Sequence, residues 1–552
     1  MPISSPTESR AVRAVGKPLR LFNTLSRKLQ VFEPLEPGTA RVYSCGPTVY
    51  AYQHIGNLRA YVFADTLRRV LEWKGYDVVH VVNITDVGHL TSDLDAGEDK
   101  VELASRREHR SVWDIAAHYT DAFMRDLGEL RVRPPAKWAR ATQHIEQMIA
   151  VARALEEKCY AYRLETGLYF DTGKVQDYGR LARLDLAGLQ EGARVAPTAG
   201  KRHPADFALW RSSPKGSKRL MEWDSPWAKG APGWHLECST MSVEYLGERF
   251  DIHTGGIDHI PVHHTNEIAQ SEAYLGCAWV PFWLHNEFIN LGEAKISKST
   301  GNTLRLTDLE EHGYHPLSYR YLLLGSHYRR QIDFTWDGLE AARVGHRRLL
   351  ERIRERLEGR DPRRASDEIA GRLRGRASRY LGRLDEAVSN DLNTAPALAI
   401  VGELSRDMKL AGDELAVLLA AAEDLLAVGI LDLAPDDVDG RPATVGHDPE
   451  EVETLLDLRA EARSRGDFAT ADRIRERLEE LGLELRDTPT GTISKPRRSR
   501  DRRRTRRSSL RSSSAFRDPL VEASVQGAVG AGQDDASEVL PRASWFEFDD
   551  RS

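Results

Sequence analysis

Long apolar runs are missing from this chain of 552 residues. No stretch of about 18 uncharged apolar residues occurs, which excludes a membrane-spanning helix. The most apolar segment, Leu418 to Ala434, is interrupted by Glu423 and Asp424. Cysteine is scarce: Cys45, Cys159, Cys238 and Cys277 lie far apart and form no C-x-x-C pair. That excludes a disulfide scaffold and suits a reducing cytoplasm. Neither sign of charge dominates, since 78 Lys+Arg against 84 Asp+Glu leave a net −6. The sum alone therefore does not announce a nucleic-acid binder, and the distribution of charge matters more. An apolar h-region is absent from Met1 to Pro18, so no secretory signal is expected, and residues 1–20 read as a disordered leader. Internal repeats are absent too. What is present is 41% apolar and 29% charged residues, a globular composition. The length suggests three or four domains at about 150 residues each.

Arg41 to Cys45 reads as a strand, followed by a turn at Gly46-Pro47-Thr48. A helix is expected from His54-Ile55-Gly56-Asn57 to about Lys74, with Phe63, Leu67, Val70 and Leu71 on one side and Gly75 as its stop. Val78 to Ile84 is a near-continuous β-branched run, the pattern of a strand covered on both faces. Strand, helix and strand in this order make a βαβ unit and predict a parallel sheet. Residues 126–225 read as an insertion, with a helix near His144 to Glu157 and a strand near Gly167 to Asp171. A strand at Arg249 to His253 and a helix at Thr265 to Tyr274 resume the first pattern. Leu306 to Leu433 reads as helical, and within it Arg343 to Arg383 holds fourteen Arg against six acidic residues. Pro435 to Pro449 is a linker, and Glu450 to Leu481 a second helical unit. Arg497 to Arg511 is almost all Arg and Ser, and an acidic, Gly/Ala-rich stretch follows. Residues 496–552 cannot bury a core and read as a disordered tail.

Two short segments carry chemistry. His54-Ile55-Gly56-Asn57 opens a helix shortly after a strand, where unpaired N–H groups and the helix dipole favour phosphate. Gly56 permits close approach, and His54 and Asn57 add donors; for this tetrapeptide alone, a surface-loop histidine stays open. Lys295-Ile296-Ser297-Lys298-Ser299, before Thr300-Gly301-Asn302, suits a loop closing over a polyphosphate, with lysine charge meeting the oxygens of departing pyrophosphate. A solvated basic loop is the competing reading until both segments are taken together, in this order and with a parallel-sheet unit at the first.

That ordered pair resembles the HIGH and KMSKS motifs of class I aminoacyl-tRNA synthetases. Cys45-Gly46-Pro47-Thr48-Val49-Tyr50, Gly233-Trp234-His235-Leu236-Glu237-Cys238 and His263-His264-Thr265-Asn266-Glu267 are similar to the cysteinyl family within that class. The similarity runs from about Leu21 to Thr492.

The resemblance implies an α/β fold: a Rossmann-like parallel-sheet catalytic domain split by an insertion, then a helical anticodon-binding region and a small C-terminal domain. The corresponding boundaries are 21–125 and 226–302 for the catalytic halves, 126–225 for the insertion, 303–345 for a stem-contact linker, 346–435 for a helical bundle and 436–495 for the anticodon-binding end. It implies one Zn²⁺ held by Cys45, Cys238, His263 and Glu267, all plausible donors for that ion. Gly46, His54, Gly56, Asn57, Gly255, Gly256, Asp258 and Lys298 are assigned to ATP, which enters with Mg²⁺. Cys45, Thr48, Trp234 and His235 are assigned to L-cysteine. His54, Asn57, Lys295 and Lys298 carry the catalysis, and Arg463, Asp472 and Asp487 the anticodon. The implied reaction joins L-cysteine to cysteine tRNA through a cysteinyl-adenylate, with AMP and pyrophosphate released, by a cytoplasmic monomer without membrane partners.

Zinc has a physical rationale there. Cysteine and serine differ by one atom, and an apolar pocket separates near-isosteres by only about 1–3 kcal/mol. Zn²⁺ prefers a thiolate to an alcohol because sulfur is softer and more easily ionised.

The chain departs from the family pattern at several points. Asn57 replaces a final His, and Ile296 replaces Met. Val87-Gly88-His89 follows Asp86 where an acidic pair and a lysine are usual, and Thr254 and His259-Ile260-Pro261-Val262 differ as well. Three other readings remain: a ligase joining cysteine to an amino sugar, a non-catalytic zinc- and RNA-binding relative, and a nucleotidyltransferase with a related H-x-G-H site. The long helical C-terminal region, the retained His54 and Lys298, and the paired cysteines respectively argue against them.

Overall fold

The computed structural model describes residues 16–88, 100–184, 200–214, 219–291, 304–357, 373–439 and most of 455–496. The loop Lys295–Ser299 and the Arg/Ser tail lie outside the described residues.

A hairpin of β1 (Arg20–Asn23) and β2 (Lys28–Val31) precedes β3 (Thr39–Ser44), α1 (Ile55–Trp73) and β4 (Asp77–Ile84). Next come α2 (Lys100–Glu108), α3 (Val112–Glu129), β5 (Lys137–Arg140) and α4 (Ile145–Glu157). Four antiparallel strands, β6 (Ala161–Leu164), β7 (Gly167–Phe170), β8 (Phe207–Ser212) and β9 (Gly230–Pro232), form a separate sheet. They lead to α5 (Trp234–Leu246), β10 (Ile252–Gly256), α6 (His263–Leu275) and β11 (Phe282–Asn286).

The central sheet is wholly parallel, in the order β11-β10-β3-β4-β5. β5, within 126–225, belongs to this sheet, whereas β9, within 226–302, completes the antiparallel one. Side chains alternate across the central strands, as the pleat requires. Val42, Val82, Ile252 and Leu284 face the cluster that contains α1. Tyr43, Val81 and Trp283 face the cluster built on α4, α5 and α6. Apolar layers on both faces explain why β4 reads as an unbroken hydrophobic run.

α1 starts where the sequence places it, with His54 as its N-cap. Beyond β11, α8 (Pro316–Leu324) and α9 (Trp336–Leu357), preceded by the short α7 (Leu306–Glu311), lead into helices Gly375–Ser389, Thr394–Leu404 and Gly412–Leu426. These share the apolar cluster of α1. A buried ionic network crosses that contact. Arg320 of α8 gives one guanidinium N–H to Asp65 of α1 at 2.6 Å and others to the carbonyls of Leu426 and Leu130 at 2.8 Å. Arg69 bonds the same Asp65 oxygen at 2.7 Å, and the Arg133 N–H takes its other oxygen at 2.9 Å.

The arginine-rich stretch is less basic in three dimensions than in sequence. Arg343 and Arg347 pair with Asp439, Arg376 with Asp407 and Arg383 with Glu403, acids outside the counted window. The unit beginning at Leu478 contains an antiparallel hairpin, Leu483–Thr488 with Gly491–Pro496, which local pattern had not suggested. Among the described residues, no helix is long and apolar enough to cross a membrane.

Candidate functional site

β3 has β4 on one side and β10 on the other. At such a reversal the loops leaving the carboxyl ends diverge and open a crevice. Cys45 and Gly46 leave β3 at this point, and Gly255 and Gly256 end β10. The Cys45 N–H is held by the Thr254 carbonyl at 3.1 Å. Gly46 gives its N–H to Asn83 Oδ1 at 2.7 Å, and a Cβ there would stand 1.6 Å from the Asn83 carbonyl oxygen. No residue with a side chain fits that approach.

The N-terminus of α1 opens into the same crevice. The Asn57 N–H donates to His54 Nδ1 at 3.2 Å. That bond sets the tautomer with the proton on Nε2, and burial lowers the His54 pKa, so the ring is a neutral donor. The Ile55 N–H bonds the Leu304 carbonyl at 2.9 Å, and His54 pairs with Arg305 in an isolated bridge. The chain returning from the lysine loop is thus tied beside the first turn of α1. Lys295 and Lys298 themselves lie outside the described residues.

Cys45, Cys238 of α5, and His263 and Glu267 of α6 converge although they are remote in sequence. One donor atom from each falls in a group whose members all lie within 4.8 Å of one another. Around zinc, tetrahedral donor pairs stand roughly 3.3–3.8 Å apart, so a slight contraction fits the ion. His263 and Glu267 meet because four residues make one turn; His263 Nε2 is 2.5 Å from Glu267 Oε1. Two thiols, an imidazole and a carboxylate, nearly all buried, suit zinc better than calcium or magnesium.

The electrostatics agree with a cation site. Burial pushes the Glu267 carboxyl up, but the His253 and His263 rings outweigh it and hold the pKa well below the usual range. Burial pushes His263 down, yet Glu267 and Cys238 raise it to about 10. Of the two thiols Cys238 ionises more readily, because it accepts hydrogen bonds from Cys45 and His263, while burial holds Cys45 up.

Trp234, the first residue of α5, lays its ring 4.3 Å from that of His263. His235 Nδ1 stands 3.0 Å from His263 Nδ1, and Gln270 fixes the His235 carbonyl at 2.6 Å. Thr48 pairs with Thr85 in an isolated bridge, and Asp258 is exposed just beyond β10. Gly255 is wedged between rings: a Cβ there would meet His259 Nδ1 and His264 Cε1, each at 2.6 Å. Arg463 and Asp472 are exposed on helical segments, and Asp487 sits on the hairpin strand Leu483–Thr488. Sequence reasoning missed His253 and His285, which crowd the same pocket together with His264, the neighbour of His263 in the family motif. The density of histidine between 253 and 285 was the available signal.

Residues 31–344 match the model of the tRNA synthetases class I (C) catalytic domain, and residues 448–492 that of the cysteinyl-tRNA ligase anticodon binding domain. A cysteine–tRNA ligase of Novosphingobium aromaticivorans is 48% identical over 483 residues, covering 86% of this chain and 96% of that one. That of Zymomonas mobilis is 46% identical over 499 residues, covering 85% and 96%. A cysteine–tRNA ligase 1 of Burkholderia lata is 48% identical over 476 residues, covering 86% and 96%.

Proposed function

The chain belongs to the cysteine–tRNA ligase family, and we propose that it joins L-cysteine to cysteine tRNA, using ATP, through a cysteinyl-adenylate. The observation that carries the reading is the convergence of two cysteine thiols, an imidazole and a carboxylate beside a helix N-terminus, at the reversal point of a parallel sheet. The match over 448–492 to an anticodon-binding module favours tRNA over an amino sugar as acceptor. Retention of His54 and Lys298 disfavours a non-catalytic relative.

No protein nucleophile is needed, because the cysteine carboxylate attacks the α-phosphate of ATP directly. Positioning and charge stabilisation supply the acceleration. The Gly56 N–H, the His54 Nε2–H and the Asn57 side-chain amide receive the phosphates. Gly46 and Gly56 let them approach, and Gly255, Gly256 and Asp258 face the adenosine with Mg²⁺ accompanying the nucleotide. Lys295 and Lys298 neutralise the departing pyrophosphate. Cys45, Cys238, His263 and Glu267 hold zinc, which supplies a Lewis acid that favours a thiolate over an alcohol. Thr48, Trp234 and His235 wall the amino-acid pocket, with the Trp234 ring packed against that of His263. Arg463, Asp472 and Asp487 serve the anticodon. All four cysteines are free thiols, consistent with a cytoplasmic enzyme.

The first test is cysteine-dependent exchange of pyrophosphate into ATP, followed by charging of cysteine tRNA beside an aminated inositol sugar. Exchange with tRNA as the sole acceptor is expected. Exchange with transfer only to the sugar would overturn the assignment of the acceptor. Lys298→Ala is expected to slow exchange by about 10²–10³-fold, the usual loss on removing one charge-stabilising group. Normal exchange in that variant would remove the loop from the mechanism.

A further inference from the structure

Cys45 and Glu267 face a second pair of nitrogen donors as well as the first pair of partners. A ring nitrogen each from His253 and His264, with Cys45 Sγ and a Glu267 oxygen, also lie within 4.8 Å of one another. The two tetrads share Cys45 and Glu267 and then part, one completed by Cys238 and His263, the other by His253 and His264. His263 and His264 are successive residues of α6 and so project about 100° apart around its axis. The Glu267 carboxylate reaches both ways: Oε1 stands 2.5 Å from His263 Nε2, and Oε2 stands 2.6 Å from His253 Nε2.

His264 is held as metal-binding imidazoles are held. Its Nε2 faces Cys45 Sγ at 3.3 Å, and its Nδ1 is anchored to His285 Nε2 at 2.7 Å. His285 is fixed in turn by Thr24 Oγ1, 2.7 Å from its Nδ1. An outer partner of this kind fixes ring orientation and leaves the other nitrogen aimed at the ligand site. His253 Nδ1 is buried without a partner, which leaves Nε2, on Glu267, as its working nitrogen.

We propose that His253 and His264 form a reserve donor pair, so that the pocket offers a divalent transition ion two overlapping tetrads, one with two thiolates and one with a single thiolate. The second set, one sulfur with two nitrogens and an oxygen, lies within the donor range of zinc and cobalt(II). The reserve pair lets Cys238 or His263 give way, as when a further thiolate enters, without reducing the number of protein donors. This rests on the zinc reading of the preceding section, and the test reads metal alone.

Full-length protein is stripped of metal and titrated with Co²⁺, with metal content and the thiolate-to-cobalt charge-transfer band as readouts. His263→Ala is expected to keep stoichiometric Co²⁺ with about half the band intensity and with affinity lowered roughly 10–100-fold. Adding His264→Ala is expected to abolish binding, whereas His264→Ala alone keeps the wild-type spectrum. Cys238→Ser, a second route to the reserve tetrad, is expected to bind Co²⁺ with an affinity that falls at least about tenfold when His264→Ala is added. A full two-thiolate band in His263→Ala, or equal affinity in Cys238→Ser with and without His264→Ala, would overturn the proposal. If His263→Ala fails to fold, the Cys238→Ser pair decides. Failure of the wild type itself to bind Co²⁺ would strike the zinc reading beneath it, a result distinct from either of these.

Discussion

Cys45→Ser is expected to lose zinc and to lower cysteine-dependent pyrophosphate exchange by about 10²–10³-fold, the scale of displacing a reacting group by about an ångström or removing a charge-stabilising donor. Cys45 supplies the sulfur common to both donor tetrads, so no rearrangement among Cys238, His253, His263 and His264 restores it. An alcohol stays protonated where a thiol ionises, and it is a harder donor. The substitution removes little volume, and the backbone contacts of the segment, Cys45 N–H to Thr254 and Gly46 N–H to Asn83, do not involve the side chain. The fold should therefore persist, with metal content and cysteine affinity falling together. Preference for cysteine over serine should drop towards the about 1–3 kcal/mol that an apolar pocket provides. Loss of zinc with unchanged cysteine affinity would reduce the ion to a structural role.

Arg320→Met is expected to destabilise the protein by about 3–5 kcal/mol, the usual result of removing one partner from a buried charge pair. At about 2–4 °C per kcal/mol, that lowers the thermal midpoint by roughly 6–20 °C. Arg320 is wholly buried and bonds Asp65, the Leu130 carbonyl and the Leu426 carbonyl. Methionine fills much of the volume but leaves both carbonyls without the Arg320 donor and Asp65 with one guanidinium, that of Arg69, besides the Arg133 N–H. Because the network joins α1 to α8 and to helix Gly412–Leu426, the loss should reach the helix whose first turn carries His54. The double substitution Asp65→Leu/Arg320→Met should recover little of the loss, because it leaves the buried Arg69 guanidinium and the Arg133 N–H without their carboxylate. A midpoint within about 2 °C of wild type for Arg320→Met would show the network to be a spectator.

The pH dependence of the same network follows from its sign. Burial alone would raise the Asp65 pKa, but Arg320 and Arg69 outweigh it and hold it well below the ordinary carboxylate range. A depressed folded-state pKa contributes stability that is complete above the unfolded value of about 3.9 and is lost as pH falls through the folded one. The stability gap between wild type and Asp65→Asn should thus stay level near neutrality and close only in acid below about pH 4.

Local pattern alone determined much of this protein: α1 between His54 and Lys74, β4 as a strand covered on both faces, the parallel sheet that follows from them, and His54 at a helix N-terminus. These rest on periodicity over a few residues, on N-cap chemistry and on the sterics of glycine, which act within one turn or one strand. The family resemblance then nominated Cys45, Cys238, His263 and Glu267, a set that spacing could never have chosen. Only the tertiary structure decided that these donors meet, that His253 and His264 complete a second set with two of them, and that acids such as Asp439 and Glu403 neutralise much of the arginine excess. Such meetings depend on strand order and on packing between segments hundreds of residues apart, for which hydrophobic period and composition carry no distance information.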